Sequence, residues 1–298
     1  MNNASDKNGL GKFGFFIYVT VAGIITAIPL RVYQLLCITE PETGFYTEKN
    51  VTVIIMYALL ALCFVLPLAY SLVNKKNVTF SDRSGIRKFE GVAAFLFAAA
   101  LIADAVSSYK AFTTLYGGFV MTREMPTLFS YLNKSGALAR LTEAVFALLS
   151  AMYFAILGMY DIKDRKGIAK LKLLALSPLV WCIARIIHRF MRKISYMKVG
   201  DLFFELLMLA VFSLFMLPLA QKLADVDGAG KEWKIAAYGV PTVVLCLICF
   251  LPRLIVAVIG KGDVLSSSSP IEFCDGAAAL FALSVLLGRM GISAAESK

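Results

Sequence analysis

The sequence predicts an all-α, polytopic integral membrane protein with eight transmembrane helices. Three observations carry that prediction: the composition, the spacing of long apolar stretches, and the gathering of ionisable residues at one set of span ends. Of 298 residues, 59% are hydrophobic and 17% charged, against about 45–50% and 25% in ordinary soluble domains. A mean hydropathy of +0.75 requires lipid as the solvent for most side chains.

A helix needs about 20 predominantly apolar residues to cross the hydrocarbon core. Such stretches run over roughly 13–36, 51–73, 90–109, 138–160, 171–191, 202–222, 234–258 and 271–290. They divide the chain into a tail (1–12), a first four-helix membrane half (13–160) and a second (161–298). The first span follows Lys7 and Lys12, as the apolar core of a signal peptide would. Its apolar character continues past Arg31 through Val32, Tyr33, Gln34, Leu35 and Leu36 with no small-residue cleavage site, so it reads as a retained span.

Orientation follows from the basic loops. Lys75, Lys76, Arg83, Arg87 and Lys88 fall between spans two and three, and Lys163, Arg165, Lys166, Lys170 and Lys172 between four and five. The loop after span one carries Glu40, Glu42 and Glu48 against Lys49. The positive-inside rule then puts both termini in the cytoplasm of a cell held by a cytoplasmic membrane. Arg189, Arg192, Lys193 and Lys198 oppose that assignment, because they fall outside. The net charge of +10 is accounted for by these loops and by anionic headgroups, and no basic patch interleaved with aromatics points to nucleic acid.

Six cysteines, Cys37, Cys63, Cys182, Cys246, Cys249 and Cys274, lie in or beside apolar stretches and read as small buried residues. This includes the C-x-x-C at Cys246 and Cys249. With a single histidine and no polar thiol cluster, neither a metal nor another cofactor is expected.

An ionisable side chain within a span is expensive, and lines a protein interior or a wet cavity more often than it faces lipid. Arg31, Asp104, Arg185 and Arg253 lie late in outward-running spans, and Glu143, Glu205, Glu272 and Asp275 early in inward-running ones. All converge on the outer half, whereas the inner halves read as aliphatic and aromatic. Span five is the sharpest element. Arg185, His188, Arg189 and Arg192 are spaced i, i+3, i+4, i+7 on one face, with Trp181 a turn deeper and Pro178 expected to loosen the backbone below. Glu272 and Asp275 form the acidic complement, and Gln34 follows one turn after Arg31. These residues are the candidate solute-binding site, and mutual salt-bridging without a ligand explains the same set. The connection Ser107–Ala137, rich in aromatics, reads as an interfacial helix, a lid or an aromatic belt.

An internal repeat is also expected. Leu66-Pro67-Leu68-Ala69 and Leu217-Pro218-Leu219-Ala220 close spans two and six. Arg31 then matches Arg185, Glu143 matches Glu272, and Leu157-Gly158 matches Leu287-Gly288, in order. These correspondences point to two tandem, parallel four-helix halves; chance likeness between apolar segments is the alternative.

The function these features favour is a secondary transporter binding a small anionic or zwitterionic solute, with the bilayer as its other partner and any protein partner open. The alternatives are a membrane-embedded receptor, sensor or complex subunit, and an intramembrane enzyme acting on a lipid or polyprenyl headgroup. No nucleotide loop, H-E-x-x-H or G-x-S-x-G motif is present, and Ser266–Ser269 reads as a connector, so the balance is against an enzyme.

Overall fold

The computed structural model describes residues 3–40, 46, 51–80, 84–119, 127–163, 171–191, 199–226, 232–262, 265 and 271–292. The described residues are all-α apart from one small sheet and an isolated antiparallel bridge between Thr39 and Tyr46. Seven described helical segments are long and apolar enough to cross a membrane. The first helix, α1 (Asn3–Tyr33), contains Pro29 and widens into a π-helical turn at Gln34–Ile38. Proline cannot donate to the preceding turn, and such irregularities in a span must be satisfied locally. Here Thr39 closes the turn: its backbone N–H and its hydroxyl both donate to the Gln34 carbonyl, at 2.8 and 2.9 Å.

α2 (Val51–Val73) leads to β1 (Val78–Phe80) and then α3 (Ser84–Gly117). α3 is longer than the expected span because nothing between Ser107 and Tyr116 breaks a helix; it stops at Gly117-Gly118. The described residues of the Ser107–Ala137 connection are therefore largely helical. α4 (Leu128–Lys134) begins at Thr127, whose hydroxyl accepts from the Ser130 N–H. The Tyr131 hydroxyl ties α4 to the Leu115 carbonyl of α3 at 3.0 Å. The remaining helices are α5 (Ala137–Ile162), α6 (Ser177–Met191), α7 (Val199–Leu223), α8 (Glu232–Val258) and α9 (Phe273–Arg289). Pro178 stands in the first turn of α6, where a missing N–H breaks no bond, and so starts the helix instead of loosening it. α9, over the eighth expected span, has 17 residues. β2 (Met290–Ile292) follows and pairs antiparallel with β1, Thr79 opposite Gly291.

Six helices close a ring, each packing on the next in the order α3, α5, α6, α7, α8, α9 and back to α3. α1 and α2 pack on each other and on the outer flank of α8, the most deeply buried span. Aromatic side chains fill the middle of the ring: Phe97 of α3 touches Phe154 of α5, Trp181 of α6, Phe212 of α7 and Phe281 of α9. Offset and edge-on contacts of this kind add about 0.5–1.5 kcal/mol each beyond the area they bury.

α3 and α5 meet backbone to backbone at Gly91 and Gly158. A Cβ on Gly158 would lie 2.8 Å from the Gly91 carbonyl oxygen, so small residues set the approach, as is common between spans. Gly158→Ala is expected to destabilise the detergent-solubilised protein by about 1–3 kcal/mol. Gly262→Ala, which meets nothing within 4 Å, leaves the thermal midpoint unchanged; equal midpoints for the two variants would contradict this packing.

Candidate functional site

The candidate site is built at the end of the ring where α1, α6 and α8 finish and α7 and α9 begin. Helical spacing prepares it. Arg185 and Arg189 lie i, i+4 on α6, and Asp201 and Glu205 lie i, i+4 on α7, so a basic stripe and an acidic stripe face each other across the α6–α7 contact. Arg189 Nε lies 3.2 Å from Glu205 Oε2, and Glu205 Oε1 lies 2.7 Å from Arg253 Nη1 of α8. On its other side Arg189 pairs with Glu272, which also pairs with Arg185. Arg185 Nη2 then reaches Asp275 Oδ1 at 3.2 Å. The result is a continuous ladder, Arg253–Glu205–Arg189–Glu272–Arg185–Asp275, across four helices.

Two limbs extend it. Arg31 of α1 pairs with Asp201, donates to Gln34 Oε1 at 3.1 Å and to the Tyr46 hydroxyl at 3.0 Å, and lies over the Phe204 ring at 4.5 Å. Gln34 donates in turn to the Thr52 carbonyl. On the far side, Trp181 Nε1 donates to Asp104 at 2.9 Å while its ring lies 5.2 Å from the Arg185 guanidinium. Arg140 pairs with Glu143 at 3.3 Å and donates to Ser108. Glu143 lies within electrostatic reach of Asp104, Arg185 and Arg189. His188 is buried on the same face of α6, against the left-handed turn at Gly136 that starts α5.

All twelve sequence-derived candidates thus sit at one end of the bundle, and most are buried in its interior rather than turned to lipid. Arg192, expected on the same α6 face, lies outside the described residues. Sequence reasoning missed three members. Asp201 falls one residue before the seventh helix's apolar stretch, although its i, i+4 relation to Glu205 marks it. Arg140 stands three residues before Glu143. Tyr46 forms an antiparallel bridge with Thr39, and no local sequence pattern points to it. With them, five arginines face six carboxylates.

Most charges of the network stand in ion pairs. Among the described residues, however, Arg185 Nη1 and Asp275 Oδ2 are buried and have no hydrogen-bond partner. One open donor and one open acceptor therefore lie on the two members of a single pair.

The opposite end corrects the expectation that it would be apolar. Arg289, the last residue of α9, donates from Nε to both Glu90 oxygens at 2.8 Å and from Nη2 to both Asp161 oxygens at 2.8 and 2.9 Å. Arg87 lies 3.4 Å from the same Asp161. The Phe80 ring of β1 lies 5.6 Å from Arg289. Bidentate geometry and full burial make this a latch joining α3, α5 and α9. The six cysteines are free thiols, five of them buried. Among the described residues no group of three His, Cys, Asp or Glu could hold a metal ion. In comparisons with protein-family models, curated proteins and solved structures, nothing matches the chain.

Removing one partner of a buried ion pair strands the other, at about 3–5 kcal/mol. Glu205→Gln takes the ion-pair partner from Arg253, leaves Arg189 with Glu272 alone, and is expected to lower stability by that amount. Trp181→Phe, which removes one hydrogen bond, is expected to lower it by about 1–3 kcal/mol. Denaturation of the purified variants checks the order, and a Glu205→Gln protein as stable as the parent would contradict the ladder.

Proposed function

We propose that this multi-pass helical membrane protein is a secondary transporter that binds a small zwitterionic or anionic solute at the charged end of its ring. The observation that carries the reading is the pair of open positions on Arg185 and Asp275, set within a nearly balanced network. A planar guanidinium edge suits a carboxylate and a carboxylate oxygen suits an ammonium. A solute bearing both can exchange with the internal pairs without leaving a buried charge alone. Arg31, Arg189 and Arg253 would share the anionic group, with Asp104, Glu143, Glu205 and Glu272 orienting them. Gln34, Trp181 and His188 would complete the walls. The arginine-to-acid latch at the other end suits a gate that holds that side shut while solute enters.

In this reading α9 is the eighth span, and the two tandem halves meet at the site. The basic loops after spans two and four put both termini in the cytoplasm of a cytoplasmic membrane, so the site faces outward. A specific observation favours a second reading, a receptor or sensor: the aromatic layer of Phe97, Phe154, Trp181, Phe212 and Phe281 fills the ring beneath the network. Beneath that layer a carrier must open a path, whereas a sensor need not.

A panel of amino acids, betaines and dicarboxylates, each added to the purified protein during thermal unfolding, tests the proposal. A true ligand at 100 times its Kd stabilises by about 2.7 kcal/mol. That stabilisation is expected to vanish in Asp275→Asn and to survive in Glu90→Gln. Uptake of the same compound into proteoliposomes supports transport, and binding without uptake supports sensing. Stabilisation by no member of the panel would leave the network as internal pairing alone.

A further inference from the structure

A second concavity lies beside the charged site and differs from it in chemistry. Between α2 and α7, floored by α8, runs a cavity of about 370 Å³ lined by apolar side chains, among them Tyr57, Ala61, Val65, Phe203, Leu207 and Leu245. Its depth follows from helix geometry. At 1.5 Å per residue, Tyr57 to Val65 spans from about 9 to about 21 Å below the first residue of α2. The groove is thus about 12 Å long, runs from below the charged end past the middle of α2, and opens sideways. Tyr57, Phe203 and Val65 are exposed on that side.

The groove and the ladder share a wall. Tyr57 stacks on Phe204 at 5.9 Å between ring centroids and meets Phe203 edge-on at 5.8 Å. The other face of that wall carries Arg31, 4.5 Å from the Phe204 centroid and paired with Asp201. Tyr57 lies within electrostatic reach of Arg31 and interacts with Tyr46, which accepts from Arg31. An apolar slot one alkyl chain deep therefore ends at a cation–anion pair. The cavity is too small for a partner helix, whose cylinder is about 10–12 Å across.

We infer that the ligand of the charged site is a zwitterionic single-chain amphiphile, with its head at the Arg31–Asp201 corner and its alkyl tail in the α2–α7 groove. The inference rests on the solute-binding reading above and narrows its substrate class. On entry the head would meet Arg31 with its anionic group and Asp201 with its cationic one, at the edge of the ladder whose open positions lie on Arg185 and Asp275. The tail would enter from the lipid side, so no apolar surface crosses water during loading. A lateral entrance also removes the need for the wide aqueous path that the aromatic layer denies a polar solute.

The test uses the full chain in phosphatidylcholine nanodiscs with two probes of one chain length, each nitroxide-labelled near the chain end. One is a lysophosphatidylcholine and the other the uncharged methyl ester of the same fatty acid. The spin-label spectrum is expected to show a strongly immobilised population of about one lysophosphatidylcholine per protein, at least fivefold above that of the ester. Ala61→Phe, which fills the groove from an exposed position, is expected to remove it. Ala69→Phe, exposed on the same helix but outside the lining, is expected to retain it. Equal immobilisation of the two probes overturns the link between groove and charged pair. Equal immobilisation in Ala61→Phe and Ala69→Phe overturns the groove as the tail site. If a soluble zwitterion stabilises the protein and competes with neither probe, the solute-binding reading stands and the amphiphile inference falls.

Discussion

Glu205 is the carboxylate on which the charged end of this bundle depends. Its two oxygens face guanidinium groups from two helices, Arg189 of α6 and Arg253 of α8. In hydrocarbon an isolated charge is not tolerated, so the position of one charged helix face fixes the positions of its neighbours. Asp201, one turn away on α7, extends the same logic to Arg31 and brings α1 against the ring. α9 is held similarly at both ends, by Arg185 and Arg189 at its start and by Glu90 and Asp161 at its finish. Between these two layers the packing is largely aromatic. Electrostatics fixes the ends of the ring, and side-chain shape fills its centre.

This arrangement makes the charged end costly to perturb, and it is what the proposed binding function draws on. A ladder of alternating charges has many near-equivalent pairings. A ligand that brings one positive and one negative group can replace a pair without altering the balance. The open donor on Arg185 and the open acceptor on Asp275 mark where such an exchange costs least. The adjoining apolar groove extends from the same end, and it is there that the proposed amphiphile would place its tail.

Much of this was legible in the residues. Long apolar stretches announce spans, because backbone in lipid must satisfy itself and only helices do so within one segment. The α6 stripe was readable because Arg185, His188 and Arg189 interrupt an apolar run at helical spacing. What was hidden is tertiary or lies at boundaries. Glu90, Asp161 and Arg289 stand at span ends, where charges ordinarily meet water, and only the folded ring turns them toward each other. Asp201 was lost to a boundary one residue too late. Pro178 shows that a proline's effect depends on its place in the helix: in the first turn it begins α6. The partner of each charge, as with Arg31 and Asp201, 170 positions apart, is invisible to any local pattern.

The most direct test is a charge swap at that long-range pair. Arg31→Asp and Asp201→Arg, made singly, each set like charges against each other between α1 and α7, and each is expected to lower folded yield and thermal midpoint sharply. Combined in one chain they restore opposite charges, and at least half of the lost stability is expected to return. A double variant no more stable than the additive sum of the two singles would contradict the claim that these charges meet inside the bundle.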